Sequence, residues 1–189
     1  MNEQTIRRYI FALLFLIFGV TASQAQSSSS DLTSSEMELY RLIMEYRQQK
    51  GLPRIPISKS LTHVAKLHVK DLQENFVRGT KCNMHSWSDK GNWTACCYTS
   101  DHAQAHCMWN KPRELTTYKG NGFEISYWHS AAAEPIGALN SWKKSSGHNS
   151  LLINAGVWTK QAWKAIGIGI YKEYAVIWFG VEEDLATHK

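Results

Sequence analysis

Helical periodicity in the first half of this 189-residue chain and hairpin patterning at its end predict an α+β fold built in layers. Length supports a single domain, because the 164 residues that follow an N-terminal apolar segment suffice for one adequate core. No internal repeat is visible in the sequence.

Residues 1–25 read as a signal peptide. Arg7 and Arg8 give a short basic start, Ile10 to Val20 is an apolar run of 11 residues, and Ser23-Gln24-Ala25 supplies small residues at the cleavage position. An uncleaved anchor is the competing reading, but the run falls short of the roughly 20 residues that cross a bilayer. No cysteine just after the run offers a lipid acceptor. The mature chain is therefore expected to be secreted or extracellular (periplasmic in a Gram-negative cell), with no stable membrane span. Residues 26–33 open on a Ser-rich stretch and form an expected disordered lead-in.

The folded domain is expected over 34–184. A first helix starts near Ser35, where Ser35 and Glu38 have capping-box spacing. Met37, Tyr40, Ile43, Met44 and Arg47 recur at helical intervals, and Gly51 with Pro53 stops the run. A second helix follows Ser58 or Ser60 and closes at Asn75. It carries Leu61, Val64, Ala65, His68 and Leu72 on one side, so His68 reads as a hydrogen-bonded core residue.

Residues 76–120 lose periodicity while holding all four cysteines. A segment of that length inside a compact domain is functional or stapled. Residues 121–129 look extended, and Glu134-Pro135 opens a third helix that runs through Leu139 and Trp142 until Ser146-Gly147 breaks it. Ile153 to Trp158 is a candidate strand. Ala165–Tyr171 and Tyr174–Val181, separated only by Lys172-Glu173, form a hairpin. Gly167 and Gly169 alternate with Ile166, Ile168 and Ile170, but no helix follows to make a dinucleotide loop. Glycine on one face of a strand instead admits another backbone at close range.

Net charge is +5, falling to +4 when Arg7, Arg8 and Glu3 leave with the signal segment. The basic residues are scattered, and nucleic-acid binding, which needs a concentrated Lys/Arg stripe, is set aside. Cys82, Cys96, Cys97 and Cys107 fall within 26 residues, which in an exported chain reads as two disulfides. Adjacent Cys96 and Cys97 do not easily bond each other, so Cys82 is expected to take one and Cys107 the other. A structural zinc cluster is the rival, because His85, His102 and His106 lie among these cysteines.

His85, Glu124 and His148 are the strongest candidate site. Two imidazoles and a carboxylate can hold a divalent metal or run acid/base chemistry. The bland alternative is a buried Glu–His hydrogen bond between layers. Trp87, Trp93, Trp109 and Trp128 lie nearby. Their flat faces suit sugar rings or apolar ligands, or else they build a small core for the irregular segment.

Five segments, taken in order, resemble the CAP (SCP-like) superfamily of cysteine-rich secretory, antigen 5 and pathogenesis-related proteins, in its bacterial branch. Leu61-Thr-His-Val-Ala65-Lys-Leu-His68-Val-Lys-Asp71-Leu is similar to a characteristic bacterial helix, and His85-Ser86 resembles the first family histidine. Gly122-Phe123-Glu124-Ile125 resembles a Gly-Glu-Asn-Ile segment with Phe123 added. Trp142-Lys-Lys-Ser145-Ser-Gly147-His148 follows Trp-x-x-Ser-x-Gly-His, and Ala165 to Ile170 matches the strand after it. The resemblance spans roughly 34–184 and implies a three-layer α-β-α sandwich with a central antiparallel sheet and a cleft lined by His85, His148 and Glu124. Eukaryotic members place a second Glu where this chain has Ser145. The cysteine-rich stretch, about 82–118, is not a general family feature and is expected to lie over one rim of the cleft.

These readings lead to a secreted binding module that holds a divalent metal, zinc in the first instance, through His85, His148 and Glu124. Its partner would be an extracellular lipid, glycan or protein. The contrasting expectation is a metal-dependent hydrolase, a peptidase or cell-wall hydrolase with Glu124 as catalytic base. A binding role is preferred, because no clear nucleophile is present. A cysteine nucleophile would require a thiolate that disulfides remove.

Overall fold

The computed structural model describes residues 32–188. The expected signal peptide, and residues 26–31 of the expected lead-in, lie outside the described residues. Among the described residues, α-helices and β-strands follow in order: α1 Ser34–Gln49, α2 Lys59–Asn75, α3 Ala105–Trp109, α4 Lys111–Leu115, β1 Phe123–Trp128, α5 Pro135–Lys144, α6 Ser146–Leu152, β2 Ala165–Tyr171 and β3 Tyr174–Gly180.

Helix α1 begins earlier than expected. Thr33 is its N-cap and forms the capping box with Glu36, not Ser35 with Glu38. The Thr33 amide donates to Glu36 Oε2 at 2.8 Å, and the Glu36 amide donates to Thr33 Oγ1 at 3.3 Å. Leu32 packs onto the core and draws this start inward. Gly51, at φ +72°, ends the helix as the sequence suggests.

Helix α2 starts with Ser58 as N-cap, its Oγ accepting from the Leu61 amide at 2.9 Å. Asp184, from the far end of the domain, completes this start. Its carboxylate accepts from Ser58 Oγ at 2.5 Å, the Ser60 amide at 2.8 Å and Ser60 Oγ at 3.0 Å. Burial pushes the Asp184 carboxyl up, but hydrogen bonds from Ser58, Ser60 and Ala186 outweigh it and hold it below the usual aspartate range. A depressed folded pKa makes this contribution complete above the ordinary carboxyl value, about 4, and lost as pH falls through the folded value. Asp184→Asn is therefore expected to cost about 1–2 kcal/mol near neutrality and to flatten the acid side of the stability curve. Denaturant midpoints measured from about pH 6 down to about pH 2 check this. A variant curve parallel to the parent's would rule it out.

The three strands form one antiparallel sheet in the order β1-β3-β2. Alternation along the central strand divides the core in two. Ala175, Ile177 and Phe179 face α1, α5 and α6, together with Ile125, Ile166 and Ile168. Tyr174, Val176 and Trp178 face α2 and the cysteine-rich segment. This is the expected three-layer α-β-α sandwich. Gly167 and Gly169 lie against α2, and a Cβ on Gly167 would sit 2.0 Å from the Leu61 carbonyl carbon.

Two elements depart from expectation. Ile153 to Trp158 is not a strand: Asn154 and Gly156 adopt φ of +50° and +58°, and Gly156–Trp158 forms a single 3-10 turn. The buried Arg47 holds this stretch, donating Nη1 hydrogen bonds of 2.7 Å to the Leu152 carbonyl and to Asn154 Oδ1. Ser146-Gly147 also does not end helical structure. Ser145 closes α5 in an extended conformation and a new helix, α6, starts directly after it.

Both disulfides form, Cys82–Cys97 and Cys96–Cys107, and no cysteine among the described residues is free. The zinc-cluster alternative for these cysteines therefore falls. The segment they staple is also anchored to α2 by Asp71, whose Oδ2 accepts from the Ser88 amide at 2.8 Å. The Trp87 ring stacks on His68 with centroids 4.5 Å apart, and His68 Nε2 lies 3.1 Å from the Ser86 carbonyl oxygen. His68 is fully buried, so it is the core residue the sequence indicates.

Candidate functional site

Glu124 projects from β1 onto the same side of the sheet as Trp178, its partner in register. It is 4 % exposed. His85 stands on the loop after α2, where Asn83 Oδ1 accepts from the His85 amide at 3.0 Å. The structure brings these two together: His85 Nδ1 and Glu124 Oε2 form a short hydrogen-bonded contact. His148 comes from α6, its ring centroid 6.5 Å from that of His85 at an interplanar angle of 74°. Tyr46 holds α6 in place, its hydroxyl donating to Asn149 Oδ1 at 2.9 Å. All three expected residues thus meet in one cleft.

Electrostatics separates the imidazoles. Burial alone would lower the His85 pKa, but the charge of Glu124 and its hydrogen bond outweigh burial and raise it. His148 shifts the other way: burial lowers its pKa, and the neighbouring His85 adds to this against the attraction of Glu124. The two rings are therefore shifted in opposite directions, His85 up and His148 down.

A cavity of about 460 Å³ opens beside the histidines. One wall comes from the stapled segment, with Tyr98, Met108 and Trp109; the other comes from Leu151, Val157 and Trp158 near α6. The cysteine-rich segment does lie over one rim. Tyr98 packs edge-on against His85 at 5.1 Å, and Phe123 bridges to Trp109 at 5.9 Å and to Trp158 at 5.1 Å. His102, at φ +59°, lies 2.8 Å from the Tyr98 hydroxyl at the same rim.

The tryptophans divide between the two readings. Trp87 and Trp93 pack against each other at 5.0 Å as a local core, whereas Trp109 lines the cleft. Trp158 carries no functional signal in the sequence. It ends the stretch Ile153 to Trp158, whose composition suits a strand.

As a metal site the arrangement is partial. Among the described residues no group of three or more His, Cys, Asp or Glu side chains is placed to hold a metal ion. The donor chemistry still fits. Glu124 engages Nδ1 of His85, which directs that ring's Nε2 away from the carboxylate, the usual role of a carboxylate behind a ligating histidine. Glu124 Oε1 is buried without a hydrogen-bond partner.

A three-layer sandwich with paired histidines beside the edge strand of its sheet defines the class of protein. Residues 40–176 match the cysteine-rich secretory protein (CAP) family, and the chain belongs to that family. Solved structures share the fold. A cysteine-rich secretory protein from Staphylococcus aureus aligns at TM-score 0.51 and 18% identity, covering 78% of this chain and 39% of that one. An extracellular SCP-domain protein from Bacillus anthracis aligns at TM-score 0.52 and 16% identity, covering 78% and 40%. An outer surface protein from Borrelia burgdorferi aligns at TM-score 0.51 and 21% identity, covering 80% of this chain and 96% of that one. The chain thus spans about two fifths of the first two proteins. No curated protein sequence matches it.

Proposed function

We propose that this protein is an extracellular binding module whose cleft holds a divalent metal, zinc in the first instance, on His85 and His148, with Glu124 fixing the first ring. The observation that carries the reading is the buried Glu124 seated on His85 Nδ1 with the His148 ring edge-on beside it. A carboxylate in that position fixes the tautomer and orientation of a ligating imidazole. Two nitrogen donors with further positions open suit an exchangeable, ligand-accepting metal. A bound zinc would supply a Lewis-acidic point for an oxygen of the ligand. An extracellular setting is supported by the two disulfides and by the descriptions of the Bacillus anthracis and Borrelia burgdorferi proteins.

The unpartnered Oε1 of Glu124 favours one second reading, metal-dependent hydrolysis with Glu124 as base. Binding is preferred, because Glu124 is already committed to His85 through Oε2.

Calorimetric zinc titration decides the metal. The parent protein is expected to bind one zinc per chain, His85→Ala and His148→Ala to lose at least about 100-fold in affinity, and Glu124→Gln about 10- to 100-fold. Thermal melts of the variants control for folding. A parent protein without stoichiometric zinc under replete conditions would sink the proposal. Peptide or peptidoglycan hydrolysis that disappears in Glu124→Gln would replace the binding role with the hydrolytic one.

A further inference from the structure

His148 lines two cavities at once. On one side is the aromatic cavity already described, and on the other a cavity of about 550 Å³ that reaches Arg78, Asn83 and Trp128. The Arg78 guanidinium lies 3.4 Å from the centre of the Trp128 ring, and Trp128 is held in turn by Nε1 donating to Glu173 Oε2 at 2.8 Å. Among the described residues no carboxylate stands within ion-pair distance of Arg78. A guanidinium held over an indole still has N–H donors to offer a planar anion.

We propose that this double cavity binds an extended acidic peptide. An apolar or aromatic side chain enters beside Trp109, Phe123 and Trp158, the backbone crosses at His85 and His148, and a carboxylate side chain meets Arg78. The proposal rests on the cleft being a binding site and names the ligand class for it. Its ground is the order of chemistry along the two cavities: apolar, then polar, then cationic. An extended peptide offers the same order, with side chains in pockets and amides between them. An acyl chain gains nothing from a polar middle, and a neutral glycan leaves Arg78 without an anion. The net charge of +4 that remains without residues 1–25 favours an acidic partner at long range.

The test uses fluorescein-labelled peptides in which one tryptophan is followed, after one, two or three glycines, by aspartate, and a matching set with lysine instead. Anisotropy titrations of the purified protein are run with EDTA and with zinc. The best aspartate peptide is expected to bind roughly tenfold more tightly than its lysine counterpart. Arg78→Glu, an exposed position that leaves the core intact, is expected to reverse that preference, and Trp158→Ala to weaken both sets about equally. Equal affinity for the two sets, no change of preference in Arg78→Glu, or saturation by a long-chain fatty acid or chito-oligosaccharide but by no peptide would each overturn the proposal. Zinc binding measured in parallel separates the claims: zinc bound without peptide defeats only this inference, and peptide bound without zinc defeats only the metal.

Discussion

Gly167→Ala is expected to lower stability by at least about 3 kcal/mol, or to prevent folding altogether. The added Cβ would lie 2.0 Å from the Leu61 carbonyl carbon, 2.3 Å from its oxygen and 2.4 Å from the Thr62 nitrogen. All three are backbone atoms of α2, so no side chain can rotate away. Relief requires α2 to lift off the sheet, and with it Leu61, Val64 and Ala65, all fully buried there. For a domain of this size the loss corresponds to a fall in Tm of about 6–12 °C. Gly147→Ala is the control, since nothing lies within 4 Å of its added carbon. It should melt near the parent, because alanine favours helix over glycine. If the two variants melt alike, the close contact between α2 and β2 is not what holds that layer.

Removing the disulfides is expected to be comparably severe. Cys82–Cys97 spans 15 residues and Cys96–Cys107 spans 11. Closing a loop of about 15 residues limits the unfolded chain by roughly 3 kcal/mol on the chain-entropy account. The overlapping loops are not independent, so the joint loss should fall short of twice that figure. Mild reduction, followed by unfolding and hydrogen exchange, reads the effect. Amides between Cys82 and Leu115 should lose protection first, while the β2–β3 pairing keeps its own. Uniform loss of protection would show that the stapled segment and the sandwich open as one unit. Thiol titration of the unfolded, unreduced protein should find no free cysteine.

Much of this architecture is legible from periodicity. α1, α2 and the β2–β3 hairpin are long, strongly patterned segments, and the glycine face of β2 is readable because only close backbone approach explains it. The start of α1 is ambiguous for a plain reason: Thr33–Glu36 and Ser35–Glu38 have the same spacing, and the packing of Leu32 chooses between them. The stretch after α6 fails for a tertiary reason. Its apolar residues suit a strand, but Arg47, more than 100 positions away, binds Asn154 and the Leu152 carbonyl and bends it. The site is legible through ordered motifs that place His85, Glu124 and His148. Of the aromatic wall only Trp109 is signalled by the sequence, because Phe123 and Trp158 come from segments that share no local pattern with it.

The two sides of the cleft have separate foundations. Tyr98, Met108 and Trp109 belong to a segment fastened by its own cross-links and by Asp71, outside the sheet. Glu124 and His148 belong to the sandwich itself. His85, however, also lies inside the Cys82–Cys97 loop, so the stapled segment supplies both one aromatic wall and one of the two histidines. Wall and histidine pair are therefore coupled: a graft cut at the ends of that segment would exchange His85 together with the aromatic surface, and only Glu124 and His148 would stay behind with the sandwich.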